Sequence, residues 1–302
     1  MSGEDTQGAG LLLTARDIRD LADAAGIRPS KQRGQNFVMD PNTVRTIVGR
    51  AHVDPGQAVL EVGPGLGSLT LGLLEAGADV VAIELDRGLA ELLPLTLRAR
   101  GVGEDRFRLV HHDALQVSEL PALPRAGEPT ALVANLPYNV ATPILLTMLE
   151  RFDSLRTALV MVQSEVVDRL IAGPGSRTYG GPSVKLAWYG RAVHAGKISR
   201  QIFWPVPNVD SALVELVRHE RPLGTAEERE AVFTVIDAAF AQRRKTLRAA
   251  LAGWAGSAAR AEQILRAAGI DHGARGETLV IEQFRAVAQA ERELARSEGE
   301  TR

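Results

Sequence analysis

The chain contains no cysteine. That single absence removes disulfides, thiolate metal sites and cysteine nucleophiles, and it fits a reducing, cytoplasmic compartment. Histidine is also scarce: six are scattered along the chain, and only His111-His112 are adjacent. Without cysteine such a set makes a poor metal site, so no metal is expected. Successive strand residues point to opposite faces, so His111-His112 reads as strand-end structure. No apolar run approaches the roughly 18 residues of a membrane span. Leu11-Leu12-Leu13 is too short for a signal-peptide core and follows acidic residues, so residues 1–13 read as a disordered lead-in and no membrane contact is expected. An excess of positive charge is missing too: the formal net charge is -2. Any nucleic-acid contact must therefore come from local concentrations of basic residues.

What remains is ordinary folded-protein material. The 302 residues are 45% hydrophobic and 24% charged, enough for a full core and roughly two domains. Thr14 can cap a helix over 14–26, in which Ile18, Leu21, Ala22 and Ala25 recur at helical spacing. Asp40-Pro41 opens another helix, to about Ala51. From Gln57 short apolar runs alternate with helical stretches. Strands are predicted at 58–62, 79–83, 107–110, 131–134 and 158–162, and helices at 68–76, at 87–99 and from Thr142. That alternation implies an α/β domain, a mostly parallel sheet with helices on both faces. Ligands in such sheets sit at the carboxyl ends of the strands. Strands at 198–203 and 212–217 then read as an antiparallel pair closing one sheet edge. From Thr225 the chain is helical, with Val232, Val235, Ile236, Ala239 and Phe240 on one face. The predicted boundary near Pro222-Leu223-Gly224 leaves a catalytic domain at 14–222 and a small all-α domain at 223–302.

Glu61-Val62-Gly63-Pro64-Gly65-Leu66-Gly67 follows the first of these strands and opens a helix. Glycines there let the backbone approach a ligand closely. A dinucleotide site has the spacing G-x-G-x-x-G, which serves a pyrophosphate. Here the spacing is G-x-G-x-G, and Ser68 takes the dinucleotide position. S-adenosylmethionine carries no phosphate and needs no phosphate-binding helix terminus, so the loop favours that cofactor over a nicotinamide dinucleotide. Gly63 and Gly65 are the close-approach positions. Glu84, about 20 residues on, ends the second strand where an acid accepts from ribose hydroxyls. Asp113 ends the third strand and can accept from an adenine amino group.

Asn135-Leu136-Pro137-Tyr138 follows the fourth strand. Read alone it is a turn, since Asn and Pro are common turn formers. After a glycine loop and an acidic strand end it reads as chemistry. The exocyclic nitrogen of adenine is a poor nucleophile because its lone pair is delocalised. Two acceptors around its hydrogens favour a pyramidal nitrogen whose lone pair faces a methyl donor. The Asn135 side chain can supply one acceptor and the Leu136 carbonyl the other, with Pro137 fixing the turn. This is orientation and electrostatic preorganisation rather than base catalysis. Tyr138 offers a face on which an unstacked base can lie. Phe203, in Phe203-Trp204-Pro205-Val206-Pro207, is a candidate for the other face.

Together these residues resemble one family. The set comprises Gly34-Gln35-Asn36-Phe37, Glu61 to Gly67, Ile83 to Asp86, Asp113-Ala114, Asn135 to Tyr138, Gln163 to Val166, Tyr179-Gly180, Phe203 to Ser211 and Gln242 to Leu247. It is similar to the small-subunit ribosomal RNA adenine dimethyltransferases of the KsgA type, from about Lys31 to Phe284. The resemblance implies a class I methyltransferase fold with a Rossmann-like sheet. It implies transfer of two methyls to N6 of each of two adjacent adenines in the 3′-terminal hairpin of 16S rRNA, within a precursor of the 30S subunit. It implies a role in small-subunit biogenesis and a monomer. It implies cofactor contacts at Asn36, Val38, Gly63, Glu84, Asp113 and Asn135. Val38 departs from the more usual leucine, and Ser164 from a frequent lysine; the first should only loosen a packing contact.

Two neighbouring readings share parts of this pattern. A family that methylates a 23S rRNA adenine and confers macrolide resistance shares the glycine loop and a similar Asn-x-Pro-aromatic motif; here the Arg243 to Arg248 stretch and the tail from Gly269 to Phe284 look like the small-subunit type. A DNA adenine methyltransferase should carry a separate target-recognition domain, for which the tail after 225 is too short. A third reading, of a different class, is a ribosome-assembly factor whose binding matters more than its catalysis. Four of the 35 basic residues are lysines, a bias associated with GC-rich genomes. The basic residues cluster at Lys31 and Arg33, at Arg243, Arg244, Lys245 and Arg248, and more loosely at Arg191, Lys197 and Arg200. The first two groups are candidate RNA phosphate contacts.

Overall fold

In the computed structural model, residues 10–28 and 36–300 are described, with the side chains of 299 and 300 left aside. Predicted positions 31 and 33 lie outside the described residues. The chain divides into two units: one of 1–167 with 193–217, the other of 168–192 with 218–302.

The first unit opens with α1 (Ala15–Ala24), capped by Thr14 in a reciprocal pair with Asp17. The strand β1 (Phe37–Val38) follows, then α2 (Pro41–Ala51), capped by the Asp40 carboxylate with Pro41 in its first turn. Strands and helices then alternate: β2 (Ala58–Val62), α3 (Ser68–Glu75), β3 (Asp79–Glu84), α4 (Arg87–Ala99), β4 (Phe107–His111), β5 (Ala131–Asn135), α5 (Ala141–Arg151) and β6 (Thr157–Gln163). Next come α6 (Ser164–Leu170), α7 (Gly181–Tyr189), β7 (Gly190–Ile198), β8 (Phe203–Trp204) and β9 (Ser211–Arg218).

The main sheet has the order β4-β3-β2-β5-β6-β9-β7, and β1 pairs separately with β8. The pairs among β2, β3, β4, β5 and β6 are parallel, and β9 runs antiparallel to β6. Every residue of β2 and β3 is buried, as expected for central strands covered on both faces. The strand order departs from the chain order at β2, between β3 and β5. Loops at the carboxyl ends of these strands form the crevice where such sheets take ligands.

Three expectations need correction. Residues 10–13 are not a loose lead-in: Leu12 and Leu13 are buried at 5% and 2% exposure. The Arg100 guanidinium holds this segment, donating to the Gly10 and Leu12 carbonyls at 2.7 and 3.3 Å and pairing with Asp17 at 3.0 Å. A strand over 198–203 is not formed. β7 ends at Ile198, Ser199 caps a 3₁₀ turn over Arg200–Ile202, and β8 joins the other, two-stranded sheet. β7 lies at the sheet edge and is largely exposed, so it lacks the apolar alternation that marks a strand. Finally, the division falls at 217/218 rather than 222/223, and residues 168–192 go with the helical unit. The reason is aromatic packing within that unit: Trp188 and Tyr189 each meet Phe233 edge-on, with ring centroids 6.2 Å apart.

The second unit is completed by α8 (Ala226–Ala241), α9 (Leu247–Ala250), α10 (Ala252–Ala255), α11 (Ala258–Ala267) and α12 (Ile281–Glu300). Its core includes Val232, Val235, Ile236, Leu247, Leu265 and Phe284, all buried. No helix among the described residues is long and apolar enough to cross a membrane.

Candidate active site

The carboxyl ends of β2 to β5 enclose a cavity of about 830 Å³, lined by Asn36, Val38, Gly63, Gly65, Glu84, Asp113, Asn135 and Pro137 among others. All seven predicted cofactor positions therefore meet in one place. The turn after β2 makes the room. Gly65 and Gly67 have φ of 59° and 97°, a left-handed conformation that glycine adopts without strain. A Cβ on Gly65 would lie 2.9 Å from the Phe37 ring, and one on Gly67 would lie 2.6 Å from Leu93 Cδ1. The glycines thus let β1 and α4 close against the loop.

Glu84 ends β3 at 6% exposure. Its two carboxylate oxygens accept from the backbone N–H groups of Gly65 (3.2 Å) and Asp86 (2.8 Å). Burial pushes its carboxyl above the ordinary range, and those N–H groups pull it back. Each oxygen keeps a lone pair for further donors, the property a pair of ribose hydroxyls requires. Asp113 follows β4, with one oxygen accepting from the Leu115 N–H at 2.9 Å. His111 ends β4 and His112 follows it on the cavity rim. Among the described residues no group of side chains could hold a metal ion.

Glu61 is a second buried acid on the cavity wall, and its sequence context alone suggests no role for it. It is 1% exposed and accepts from the Thr70 hydroxyl at 2.6 Å. Burial, with the neighbouring Glu84 adding to it, pushes its carboxyl up to about 8, against the Thr70 hydrogen bond.

The turn at the end of β5 is held by hydrogen bonds at Asn135, Leu136 and Tyr138. The Asn135 side-chain amide donates to the Asn36 carbonyl at 3.1 Å. Leu136 is buried, and its N–H donates to the Met161 carbonyl at 3.1 Å, tying the turn to β6. Pro137 lines the cavity. The half-buried Tyr138 shares a 2.7 Å hydrogen bond with Ser211 at the start of β9; like Leu136, it stands beside the cavity rather than in its lining. Burial raises the Tyr138 phenol above its usual value, so the hydroxyl stays protonated and paired.

Phe203 is placed elsewhere than predicted. It is fully buried, sits opposite Val38 in the β1–β8 pair, and belongs to the core rather than to the cavity lining. Its ring offers no open face to a base; it backs the wall that carries Val38. Sequence reasoning gave no role to two serines, Ser211 and Ser68. The Ser68 hydroxyl donates to the Val38 carbonyl at 2.7 Å. Its partner lies 30 residues away in the chain, so nothing in the local pattern marked this bond.

The predicted basic cluster splits into two kinds. Arg243 pairs with Glu277 at 2.8 Å and donates to the Arg177 carbonyl at 2.6 Å. Arg248 pairs with Glu262 at 2.8 Å, a carboxylate shared with Arg266 and His272. Arg244 and Lys245 stand exposed on the turn after α8, with no ion-pair partner among the described residues. Arg200 is held by the Asn208 carbonyl at 2.9 Å, while Arg191 and Lys197 lie exposed on β7.

Comparison with known proteins gives a consistent result. The profile of a family described as ribosomal RNA adenine dimethylase matches residues 28–290. A Streptomyces griseus protein named ribosomal RNA small subunit methyltransferase A is 61% identical over 285 residues, 94% of this chain and 97% of its own length. A Kineococcus radiotolerans protein of the same name is 61% identical over 289 residues, covering 96% of this chain and 95% of that protein. Among solved structures, the 23S rRNA methyltransferase ErmE superposes with a TM-score of 0.60 at 27% identity, over 84% of this chain and 99% of that one. A dimethyladenosine transferase from Plasmodium falciparum superposes with a TM-score of 0.69 at 20% identity, over 83% and 95%.

Proposed function

The chain belongs to the ribosomal RNA adenine dimethylase family, and we propose that it transfers methyl groups from S-adenosylmethionine to N6 of two adjacent adenines in the 3′-terminal hairpin of 16S rRNA, in a precursor of the 30S subunit. The observation that carries the chemistry is the hydrogen bond from Asn135 to Asn36. It commits the nitrogen end of the Asn135 amide to the protein and leaves the oxygen end to accept from a substrate amino group.

The cavity's donors and acceptors fit the cofactor. Glu84 holds its carboxylate where ribose hydroxyls can donate, Asp113 faces an adenine amino group, and the turn at Gly63 and Gly65 admits a ligand against bare backbone. Asn36 and Val38 supply the opposite wall. When bound, S-adenosylmethionine supplies an electrophilic methyl group on a sulfonium. The protein's task is then to present the adenine nitrogen. Asn135 Oδ1 and the Leu136 carbonyl accept its two hydrogens and turn the lone pair toward the methyl group. Tyr138, pinned by Ser211, gives the base a face to stack on. No strong base is required, because methylation itself acidifies the remaining N–H, and the proton leaves to water. Arg244 and Lys245 are the exposed cations for RNA phosphates.

The relatives favour the small subunit over the large: identity is 61% to proteins named for the former and 27% to the 23S methyltransferase. The reading implies a cytoplasmic protein acting as a monomer in small-subunit biogenesis. Asn135→Ala tests the site. It should lower the methyl-transfer rate by about a hundredfold, the size of effect seen when one preorganised polar group is removed, while affinity for S-adenosylhomocysteine changes only a few-fold. An equal loss in both would count against the orienting role. Glu84→Ala tests catalysis against assembly: if a deletion strain's assembly defects are fully rescued by this variant, binding rather than methyl transfer is what the cell needs.

A further inference from the structure

The cavity wall at Asn36–Val38 belongs to a strand of only two residues, paired with another of two. Such a ribbon has little stability of its own. Two side chains from the main domain hold it by its carbonyls: Ser68 Oγ donates to Val38 at 2.7 Å, and Asn135 Nδ2 donates to Asn36 at 3.1 Å. Carbonyls two residues apart in an extended chain point to the same side, so both bonds reach one edge of β1. Ser68 is 7% exposed. It is the first helical residue of α3, whose N-cap is Gly67. Its hydroxyl serves β1.

The two ends of an asparagine amide have nearly the same shape and opposite hydrogen-bonding character. Which end of Asn135 faces the cavity is decided by what holds the other end, and that is the Asn36 carbonyl. We propose that Ser68 is a positioning residue for methyl transfer: by fixing the Val38 carbonyl it holds Asn36 where it selects the acceptor-outward orientation of Asn135. The proposal rests on the role given to Asn135 above.

A double-mutant cycle separates this role from plain structural support. Ser68→Ala should lower kcat about fivefold to thirtyfold, the loss associated with one buried hydrogen bond, and Ser68→Thr should restore most of it. In an Asn135→Ala background the same Ser68→Ala change should leave kcat within about twofold. An equal fold loss in both backgrounds, or no loss in the otherwise native protein, overturns the proposal. A second readout needs no turnover: the Asn135 side-chain NH₂ signals, followed by 15N NMR in the protein without cofactor. Their exchange with water should quicken in Ser68→Ala, and unchanged exchange overturns the proposal too. If Asn135→Ala itself keeps the native kcat, the functional reading fails, whatever Ser68 does.

Discussion

Glu61 is a costly residue to ionise, and Glu61→Gln exposes that cost. The carboxyl is 1% exposed, and its hydrogen bond to Thr70 does not offset its burial. Its value in the folded protein is pushed up from 4.5 to about 8. Between those limits the folded state keeps a proton that the unfolded chain releases. The stabilisation is therefore complete below about pH 4.5, is withdrawn as pH rises, and is gone above about pH 8. A shift of that size corresponds to on the order of 5 kcal/mol. Glutamine has nearly the same shape, can still pair with Thr70 and does not titrate. Unfolding should be followed from pH 5 to 9 without cofactor, for both proteins. The two curves should lie close at pH 5 and separate steadily, with the glutamine variant about 10 °C higher in Tm at pH 9, at roughly 2–4 °C per kcal/mol. Parallel curves across that range would refute the assignment of a protonated Glu61.

Three further outcomes follow from the same geometry. Glu84→Ala removes a carboxylate that two backbone N–H groups hold in place; calorimetric titration with S-adenosylhomocysteine should show affinity down by about 10- to 100-fold, as for hydrogen bonds to a charged group, and a change within twofold would contradict the ribose role. Gly67→Ala puts a Cβ 2.6 Å from Leu93 in a backbone with φ of 97°; urea unfolding should show a loss of about 1–3 kcal/mol, and an unchanged midpoint would mean that the loop is not constrained there. Arg244→Ala with Lys245→Ala should flatten the dependence of RNA affinity on salt, the log–log slope falling by about 1 for each phosphate that is no longer neutralised; an unaltered slope would remove both from the RNA surface.

The sequence was most legible where local pattern and chemistry coincide. β2, β3 and β5 are mostly apolar runs, and the turns after them carry glycines (β2), an acidic strand end (β3) or the Asn135-Leu136-Pro137 turn (β5), so both the parallel sheet and the site at its carboxyl end could be read directly. Less legible were features set by long-range contacts. The β1–β8 ribbon joins residues more than 160 positions apart and has two residues per strand, too short for any periodicity. β7 is an exposed edge strand without alternation. Phe203 has the composition of a stacking residue, and only its full burial shows that it packs. Leu12 and Leu13 fall in a stretch that reads as a disordered lead-in, because the Arg100 that holds it is about 90 positions away. Arg243 and Arg248 read as free cations because their acidic partners, Glu277 and Glu262, are distant in sequence. Ser68 was given no role because the carbonyl it serves, Val38, is distant in sequence.

The central claim is that the chain methylates adenine amino groups of the small ribosomal subunit. Its most direct test is transfer of label from tritiated S-adenosylmethionine to small subunits lacking these methyl groups, with 50S subunits and duplex DNA in parallel. The account expects label recovered as N6,N6-dimethyladenosine near the 3′ end of 16S rRNA. Label found only in 23S rRNA, only in DNA, or in a base other than adenine would contradict it.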